Sequence, residues 1–373
     1  MVITGVRRCG KSYLVFNLFY DYLKSQSVGN DHIIMVNLES RRNIKLRNPD
    51  SLLDYIDSRM LDDNMYYILL DEVQLVDEFE DVLNNYLSVP NVDVYVTGSN
   101  AKFLSKDVIT EFRGRGDEVK VYPLSFSEYM SAYNGSQQRG LDDYMTFGGL
   151  PFILSLKSEE QKSIYLKNLF AETYIKDIKD RYKIRHEDEL EDLLNIISSS
   201  IGSLTNPAKL VNTFKSMKNI SITADTLKSY LEYLCDSFLV TQAMRYDVKG
   251  KRYIDTPYKY YFTDTGLRNA RINFRQDEKT HLMENIIFNE LLIRGFNVDV
   301  GVVPIVKIGD DGKQHRSQLE IDFVCNQGSR RYYIQSAFRM NSDDKRHQEQ
   351  ASLLRGLLIL PFSRDSSRPA EVH

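Results

Sequence analysis

The chain has little of three things that mark special classes of protein: cysteine, long apolar runs and net charge. Its three cysteines, at positions 9, 235 and 325, are odd in number and lack metal-ligand spacing, which favours a reducing compartment and, by default, the cytoplasm. No run of eighteen apolar residues occurs, and no charged leader with an apolar core precedes Gly5, so we expect neither a membrane span nor export by a signal peptide. The net charge of −4 gives no chain-wide nucleic-acid signature, so any basic surface must be local.

The 373 residues have the composition of a soluble globular protein, 42% hydrophobic and 27% charged, and the length of two or three domains. Up to about residue 125, short β-rich runs alternate with helical stretches, which indicates a parallel sheet with crossover helices. The runs are VIT, IIMVNL, YYILL, VDVYVT and VKVY, and the stretches between them include KSYLVFNLFYDYLK, SLLDYIDSRML and DEFEDVLNNYL. The sequence therefore predicts an α/β nucleotide-binding fold of the P-loop NTPase kind.

A phosphate-binding loop is the most specific local signal in the sequence. The segment from Gly5 to Ser12 fits G-x-x-x-x-G-K-[ST] and lies between an apolar strand and an amphipathic helix. In such a loop, backbone N–H groups and the helix dipole bind phosphate oxygens, the lysine reaches the β- and γ-phosphates, and the hydroxyl holds Mg²⁺. We therefore expect ATP and Mg²⁺ as ligands. The predicted nucleotide-binding residues here are Gly5, Val6, Arg7, Arg8, Cys9, Gly10, Lys11 and Ser12.

Two other predicted strands end on polar residues that suit the same chemistry. The run YYILL leads directly into Asp71 and Glu72, which we interpret as the Mg²⁺ carboxylate and the base that polarises the attacking water. The run VDVYVT ends on Thr97 and is followed closely by Ser99 and Asn100. If its strand lies between the P-loop strand and the Asp71 strand, these side chains would face the γ-phosphate and could orient water. An ordinary turn at the strand end is the alternative.

Arginines between glycines follow in FRGRGDEVKVYPLSFSEY. Arg113 or Arg115 could act in trans on the nucleotide of a neighbouring copy, as arginine fingers do, and we assign this catalytic role to Arg115. A homo-oligomer would then be needed. A surface ion pair explains the same arginines equally well.

Several of these motifs together resemble a widespread group of prokaryotic AAA-like ATPases. TGVRRCGKS, LLDEVQ, VTGSNAKFL, FRGR, VYPLSFSEY and GGLPFIL occur in the order seen in that group, over nearly the whole chain. The resemblance implies an ATPase domain at 1–130, a helical and winged-helix region at 131–275 and a nuclease-like domain at 276–373. It also implies a short stretch before the first strand, so we expect Met1 to mark a shortened start. We expect the likeness to end near Gly356 in a poorly ordered tail.

The middle region combines helices with a basic hairpin. NPAKLVNTFKS and TADTLKSYLEYLCDS precede a hairpin, an order that resembles a winged helix with the hairpin as its wing. Residues 205–262 contain nine Lys or Arg against five Asp or Glu, and Arg245, Lys249, Lys251 and Arg252 crowd the wing. These four side chains could contact DNA phosphates. The alternative is a winged helix that only packs against other domains or a protein partner.

The last region has an incomplete nuclease pattern. Glu284 on a helix and Asp322 at a strand start resemble the carboxylates that collect Mg²⁺ in metal-dependent nucleases. Where that pattern requires an acid and a lysine, YYIQSAF supplies Gln335 and Ala337. A neutral amide ligates a hard cation weakly, and no cation is left to stabilise the developing charge. We therefore predict a nuclease-like shape without nuclease activity.

The function predicted from these observations is ATP binding and Mg²⁺-dependent hydrolysis, with the nucleotide state coupled to the winged helix and the nuclease-like domain. The alternative is an ATP-switched DNA-binding regulator with little turnover.

Overall fold

The chain folds into two compact units, each described here by itself. The first comprises Met1–Ser200, Pro207–Thr241 and Phe262–Asp277, and the second comprises Ile201–Asn206, Gln242–Tyr261 and Glu278–His373. The structure, a computed structural model, describes residues 1–99, 117–218, 220–275, 278–308 and 314–336.

The first unit contains a five-stranded parallel sheet. Its strands are β1 (Val2–Thr4), β2 (Ile33–Asn37), β3 (Tyr66–Asp71), β4 (Val92–Gly98) and β5 (Glu118–Lys120). They lie in the order β2-β3-β4-β1-β5 with parallel registers throughout, which confirms the predicted α/β fold. Parallel neighbours bring their carboxyl ends to the same edge of a sheet. The residues that follow β1, β3 and β4 therefore meet at one edge, with β4 in the middle.

Both faces of this sheet are covered, as expected for parallel strands with crossover helices. Along β3, Ile68 and Leu70 point to one face and join the core that contains Leu52. Leu69, between them, points to the opposite face and packs with Val15. The continuous apolar run of β3 is the consequence of burial on both sides.

The helices of the first unit lie between the strands of the sheet and after its last strand in the sequence. The helix after β1 consists of α1 (Lys11–Tyr13), a π-helical segment (Leu14–Phe19) and α2 (Tyr20–Ser25). The next two are α3 (Pro49–Asp57) and α4 (Phe79–Leu87). After the sheet come α5 (Phe126–Ala132), α6 (Gln137–Phe147), α7 (Glu159–Asn168), α8 (Lys176–Tyr182), α9 (Glu187–Ser199), α10 (Pro207–Lys218), α11 (Ala224–Asp236) and α12 (Thr265–Arg271). The π-helical segment Leu169–Ile175 joins α7 to α8, so the predicted long helix is continuous.

Local sequence explains where some of these helices begin. The VYPLSFSEY motif places Ser125 and Glu128 in a capping box at the start of α5, in which the Ser125 N–H donates to Glu128 Oε2 at 2.8 Å. Asn48 caps α3, and Pro49 occupies its first turn. None of the helices in the described part of the chain combines the length and apolar character of a membrane span.

The second unit is built around a mixed five-stranded sheet. The described strands are β6 (Val240–Asp247), β7 (Arg252–Phe262), β8 (Asn297–Ile308), β9 (Gln314–Gln327) and β10 (Arg330–Ile334), and the helix is α13 (Lys279–Ile293). The order is β10-β9-β8-β6-β7, with β9 antiparallel to both neighbours and β6 parallel to β8. The strands predicted as a wing are therefore not a separate hairpin. They extend the sheet formed by the C-terminal strands.

Candidate functional site

The predicted phosphate-binding loop links the end of β1 to the start of α1. Gly5 has φ +143° and Gly10 has φ +110°, a region that L side chains rarely adopt. A Cβ at Gly5 would lie 2.0 Å from the carbonyl oxygen of Val121, so only glycine fits there. Arg8 also has a positive φ, +65°, at the turn of the loop. The two glycines of the motif are thus required by backbone shape.

Lys11 is buried inside this loop. Its Nζ donates to the carbonyl oxygens of Gly5 at 2.9 Å and Val6 at 3.0 Å. Cys9 packs on the other side, where its Sγ donates to Val121 O at 3.4 Å, and burial raises the pKa of its thiol. Cys9 is therefore a packing residue, whereas Lys11 places its ammonium inside the loop.

The Asp71 carboxylate receives two hydroxyl donors. Ser12 Oγ donates to Asp71 Oδ1 at 2.8 Å, and Thr97 Oγ1 donates to the same oxygen at 2.6 Å. Burial raises the pKa of Asp71, although these two hydrogen bonds oppose the shift. The loop, the β3 end and the β4 end therefore converge on one carboxylate, because β4 lies between β1 and β3 as the sequence argument required.

Glu72, the next residue, is held by a different set of groups. Its backbone is in the left-handed region at φ +57°, and its N–H donates to Thr97 Oγ1 at 3.0 Å. Ser99 Oγ donates to Glu72 Oε2 at 3.0 Å, and the Gln74 side-chain amide donates to the same oxygen. Gln74 was missed by the sequence argument, and its place two residues after Glu72 in LLDEVQ is the only signal that could have found it.

A cleft of about 220 Å³ opens beside these groups. It brings together P-loop residues and the predicted base, and adds Glu39 after β2, which the sequence argument also missed. The lining residues are Arg7, Arg8, Gly10, Lys11, Ser12, Tyr13, Glu39 and Glu72.

A larger cavity of about 820 Å³ adjoins this cleft, and the two share Arg8 and Tyr13. Its wall is mainly apolar and includes Phe152 of the GGLPFIL motif and Tyr165 of α7, whose ring centroids lie 4.9 Å apart. The full lining is Arg8, Tyr13, Pro151, Phe152, Ser155, Tyr165, Asn168 and Leu169. The GGLPFIL motif is thus placed next to the phosphate-binding loop.

The GGLPFIL motif is fixed by a buried carboxylate. Asp264, at the N-terminus of α12, accepts hydrogen bonds from the N–H groups of Gly149 at 2.7 Å and Leu267 at 3.0 Å. A Cβ at Gly148 would lie 2.2 Å from Asp264 Oδ1. Burial raises the pKa of Asp264 to about 6 despite these donors. The close approach explains why glycines precede the proline that lines the larger cavity.

The loop is also bound to helices that follow the sheet. The hydroxyl of Tyr174 donates to the carbonyl oxygen of Arg7 at 2.7 Å. The guanidinium of Arg7 donates to Asp177 Oδ1 at 2.8 Å, and Arg181 pairs with the other oxygen of Asp177 at 2.7 Å. The side chain of Arg7 therefore pairs with α8, whereas its backbone forms part of the phosphate-binding loop.

Comparison with known proteins agrees with this geometry. Residues 1–130 match the family model described as an AAA domain. An uncharacterized protein of Haemophilus influenzae is 34% identical over 345 residues, which cover 91% of this chain and 82% of that protein. The chain belongs to a family of AAA-like P-loop ATPases. A fold of this type suggests ATP binding.

Other parts of this AAA-like protein match families without an assigned role. Residues 138–278 match a domain of unknown function (DUF8612). An uncharacterized protein of Methanocaldococcus jannaschii is 27% identical over 362 residues, covering 94% of this chain and 77% of that protein. The solved structure of the Aeropyrum pernix ORC1 protein in complex with DNA aligns with 73% of this chain and 86% of its own, at 13% identity and a TM-score of 0.28. A likeness at that score carries no argument about function.

The structure corrects one residue of the predicted wing of this AAA-like protein. Arg245 is only 7% exposed, and its guanidinium donates to Gln318 Oε1 at 2.9 Å, so it does not contribute to a basic surface. Lys249, Lys251 and Arg252 are exposed at the turn between β6 and β7. The basic turn, as we call these three residues, is what remains of the predicted DNA contact.

Several predicted residues lie outside the part of the chain that the structure describes. They are Asn100, Arg113, Arg115, Ala337 and the tail. Glu284 and Asp322 lie close together in the second unit, where burial first and the charge of Glu284 second raise the pKa of Asp322 to about 7.

Proposed function

We propose that this protein binds ATP together with Mg²⁺ and hydrolyses it at the cleft beside the P-loop. The observation that carries the proposal is the convergence of Ser12, Asp71 and Thr97, delivered by the loop and by two neighbouring strand ends, within 2.8 Å contacts. The P-loop amides and Lys11 would bind the β- and γ-phosphates. Glu72 would polarise the attacking water.

The donor set fits Mg²⁺. An alcohol oxygen and a carboxylate are hard ligands of the kind that this ion prefers, and Ser12, which lines the cleft, donates a hydrogen bond to Asp71 directly behind it. When bound, Mg²⁺ supplies neutralisation of the charge on the β- and γ-phosphates. A metal ion would also favour the ionised form of Asp71, whose pKa burial raises.

The larger cavity suits the nucleoside part of the ligand. It adjoins the phosphate cleft and offers the aromatic rings of Tyr13, Phe152 and Tyr165, together with the polar side chains of Ser155 and Asn168. Aromatic faces stack on a nucleobase, and a few polar groups orient it. We place the adenine base there.

Two substitutions separate binding from hydrolysis. Lys11→Ala should lose nucleotide affinity, whereas Glu72→Gln should bind ATP and fail to turn it over. The reason is that Lys11 would bind the phosphates and Glu72 would activate the water. Glu39→Gln is the matched control for Glu72→Gln, since Glu39 lines the same cleft. Affinity measured with a fluorescent ATP analogue and phosphate release give the two readouts. Equal turnover in wild type and Glu72→Gln would remove Glu72 as the base, and unchanged affinity in Lys11→Ala would reject the phosphate-loop assignment.

We also propose that the nucleotide state is transmitted beyond the ATPase domain. The support lies in the two contacts that join Arg7 to the helices after the sheet, one from Tyr174 and one to Asp177. A change in loop conformation must alter both contacts. The proposed receivers are the regions predicted as a winged helix, 131–275, and as a nuclease-like domain, 276–373.

A second candidate role is an ATP-switched DNA-binding regulator with little turnover. The exposed basic turn favours it, because three adjacent cations suit sequence-independent phosphate contacts. Steady-state ATPase with and without DNA distinguishes the two. The absence of measurable turnover in both conditions would favour the regulator.

A further inference from the structure

A buried lysine lies between carboxylates in the second unit. Lys259, on β7, is 3% exposed. Its Nζ lies 2.9 Å from Glu284 Oε1 on α13 and 2.7 Å from Glu320 Oε1 on β9. Burial disfavours the ammonium, but the charges of Glu284 and Glu320 outweigh it and raise the pKa of Lys259. The lysine is therefore held as a cation.

Protein donors also occupy neighbouring carboxylate oxygens. Tyr261, fully buried on β7, donates from its hydroxyl to Glu284 Oε1 at 2.6 Å, the same oxygen that meets Lys259. Asp322 Oδ2 accepts the N–H of Ser336 at 2.7 Å. Glu284 Oε1 thus has two donors within hydrogen-bond distance and has little capacity left for a metal ion.

This arrangement does not fit the metal that a nuclease-like domain implies. A divalent ion would need oxygens of Glu284 and Asp322 together. In the described part of the chain, no three or more His, Cys, Asp or Glu are arranged to hold a metal ion. A cation entering between Glu284 and Glu320 would have to displace an ammonium that is already there and is nearly inaccessible to water.

We propose that Lys259 takes the place of a divalent cation in the second unit, as the permanent counter-ion of Glu284 and Glu320. The unit keeps the inherited acids without binding Mg²⁺ and without cleaving phosphodiesters. The lysine comes from β7, so the cation of this centre is covalently part of the chain and cannot be exchanged. This inference is independent of ATP hydrolysis at the P-loop.

The test is to remove the ammonium and offer a metal. Lys259→Met keeps the length of the side chain and removes its charge, and Lys249→Met does the same on the exposed basic turn as the control. The nucleotide-free full chain is titrated with Mn²⁺ and followed by thermal unfolding and by electron paramagnetic resonance of free Mn²⁺.

The expected result is a lowered Tm for Lys259→Met that Mn²⁺ restores, by on the order of 5 °C at about a hundredfold excess over Kd. Wild type and Lys249→Met should show no Mn²⁺ binding that depends on Glu284. Adding Glu284→Gln to Lys259→Met should abolish the Mn²⁺ effect. Binding at the P-loop does not interfere, because it does not depend on Glu284.

Three results would overturn the proposal. The first is Mn²⁺ binding by wild type that is lost in Glu284→Gln or Asp322→Ala. DNA cleavage by wild type in Mg²⁺ or Mn²⁺ that is lost in either variant would count in the same way. The second is a folded Lys259→Met that is indifferent to Mn²⁺. The third applies if Lys259→Met does not fold. Combining it with Glu284→Gln and Glu320→Gln should then restore folding, because neither acid is left as a buried charge without a partner. If the triple variant also fails to fold, Lys259 has another role.

Discussion

Replacing Tyr174 with Phe removes one hydroxyl and leaves the ring in place. That hydroxyl donates to the backbone of Arg7 inside the P-loop, and the side chain is 2% exposed, so water cannot easily replace it. Leaving a carbonyl at this partly buried contact without its partner costs at most about 1–3 kcal/mol. The cost divides between two measurable quantities. The part of this free-energy cost that shifts the loop of the free protein away from its binding conformation weakens ATP binding, by at most roughly 5- to 150-fold. The rest of the cost lowers the free energy of unfolding.

The assay measures both quantities in Tyr174→Phe and in a matched control, Tyr182→Phe. Tyr182 lies in the same unit and donates to Asp236 Oδ2 at 3.0 Å, away from the P-loop. The control should lower stability and leave the Kd for ATP unchanged, whereas Tyr174→Phe should raise that Kd. If the Kd of Tyr174→Phe equals that of wild type, the contact does not hold the loop for nucleotide, and the proposed route from the loop to the helices fails with it.

Burial raises the pKa of Asp264 to about 6, so the folded state binds a proton at this carboxyl more tightly than the unfolded state does. The contribution of Asp264 to the free energy of unfolding therefore falls as pH rises from about 4 through 6. The difference in unfolding free energy between wild type and Asp264→Asn should therefore change by about 3 kcal/mol over that range in urea titrations, and parallel pH profiles would contradict the assignment. Changing the basic turn, Lys249, Lys251 and Arg252, to glutamine should reduce DNA affinity and the slope of log K against log salt by up to about 2.7. Arg245→Gln should lower stability without changing that slope, and an anisotropy titration in which the triple variant keeps the wild-type slope would show that the basic turn does not contact DNA.

The parallel sheet and the convergence of polar residues at its edge were predictable from sequence. Both depend on short, local patterns. An apolar run predicts a strand, and the polar residues at the end of that run, such as Asp71 and Thr97, then lie at the carboxyl edge of the sheet. The position of Gln74 depends on the turn after β3, where Glu72 adopts a left-handed backbone that no spacing rule specifies. The larger cavity was missed for another reason. Its aromatic walls come from α7 and the GGLPFIL motif, which meet the loop only after folding.

Two errors in the second unit show the limits of linear spacing. The nuclease pattern seeks its lysine two residues after the acid of the same strand, but the ammonium near Glu284 comes from Lys259, on a strand much earlier in the chain. Counting charges in the hairpin likewise ignored which face of β6 each residue occupies. Every second residue of this part of β6 lies on its buried side, namely Ala243, Arg245 and Asp247. Because two of these three residues are charged, the sequence pattern did not indicate a buried face.

The hydrogen bonds around Asp71 and Glu72 also have a direction. A hydroxyl carries one proton, and those of Ser12, Thr97 and Ser99 are all donated to protein carboxylates. While these bonds persist, the hydroxyl of Ser12, which lines the cleft, can turn only a lone pair toward a ligand. This side of the cleft therefore attracts a cation, and the protons available to an anionic ligand must come from the backbone N–H groups of the P-loop and from the ammonium of Lys11. The cleft is polarised before any ligand enters, which would let a metal ion and a polyphosphate bind side by side and would disfavour an anion alone.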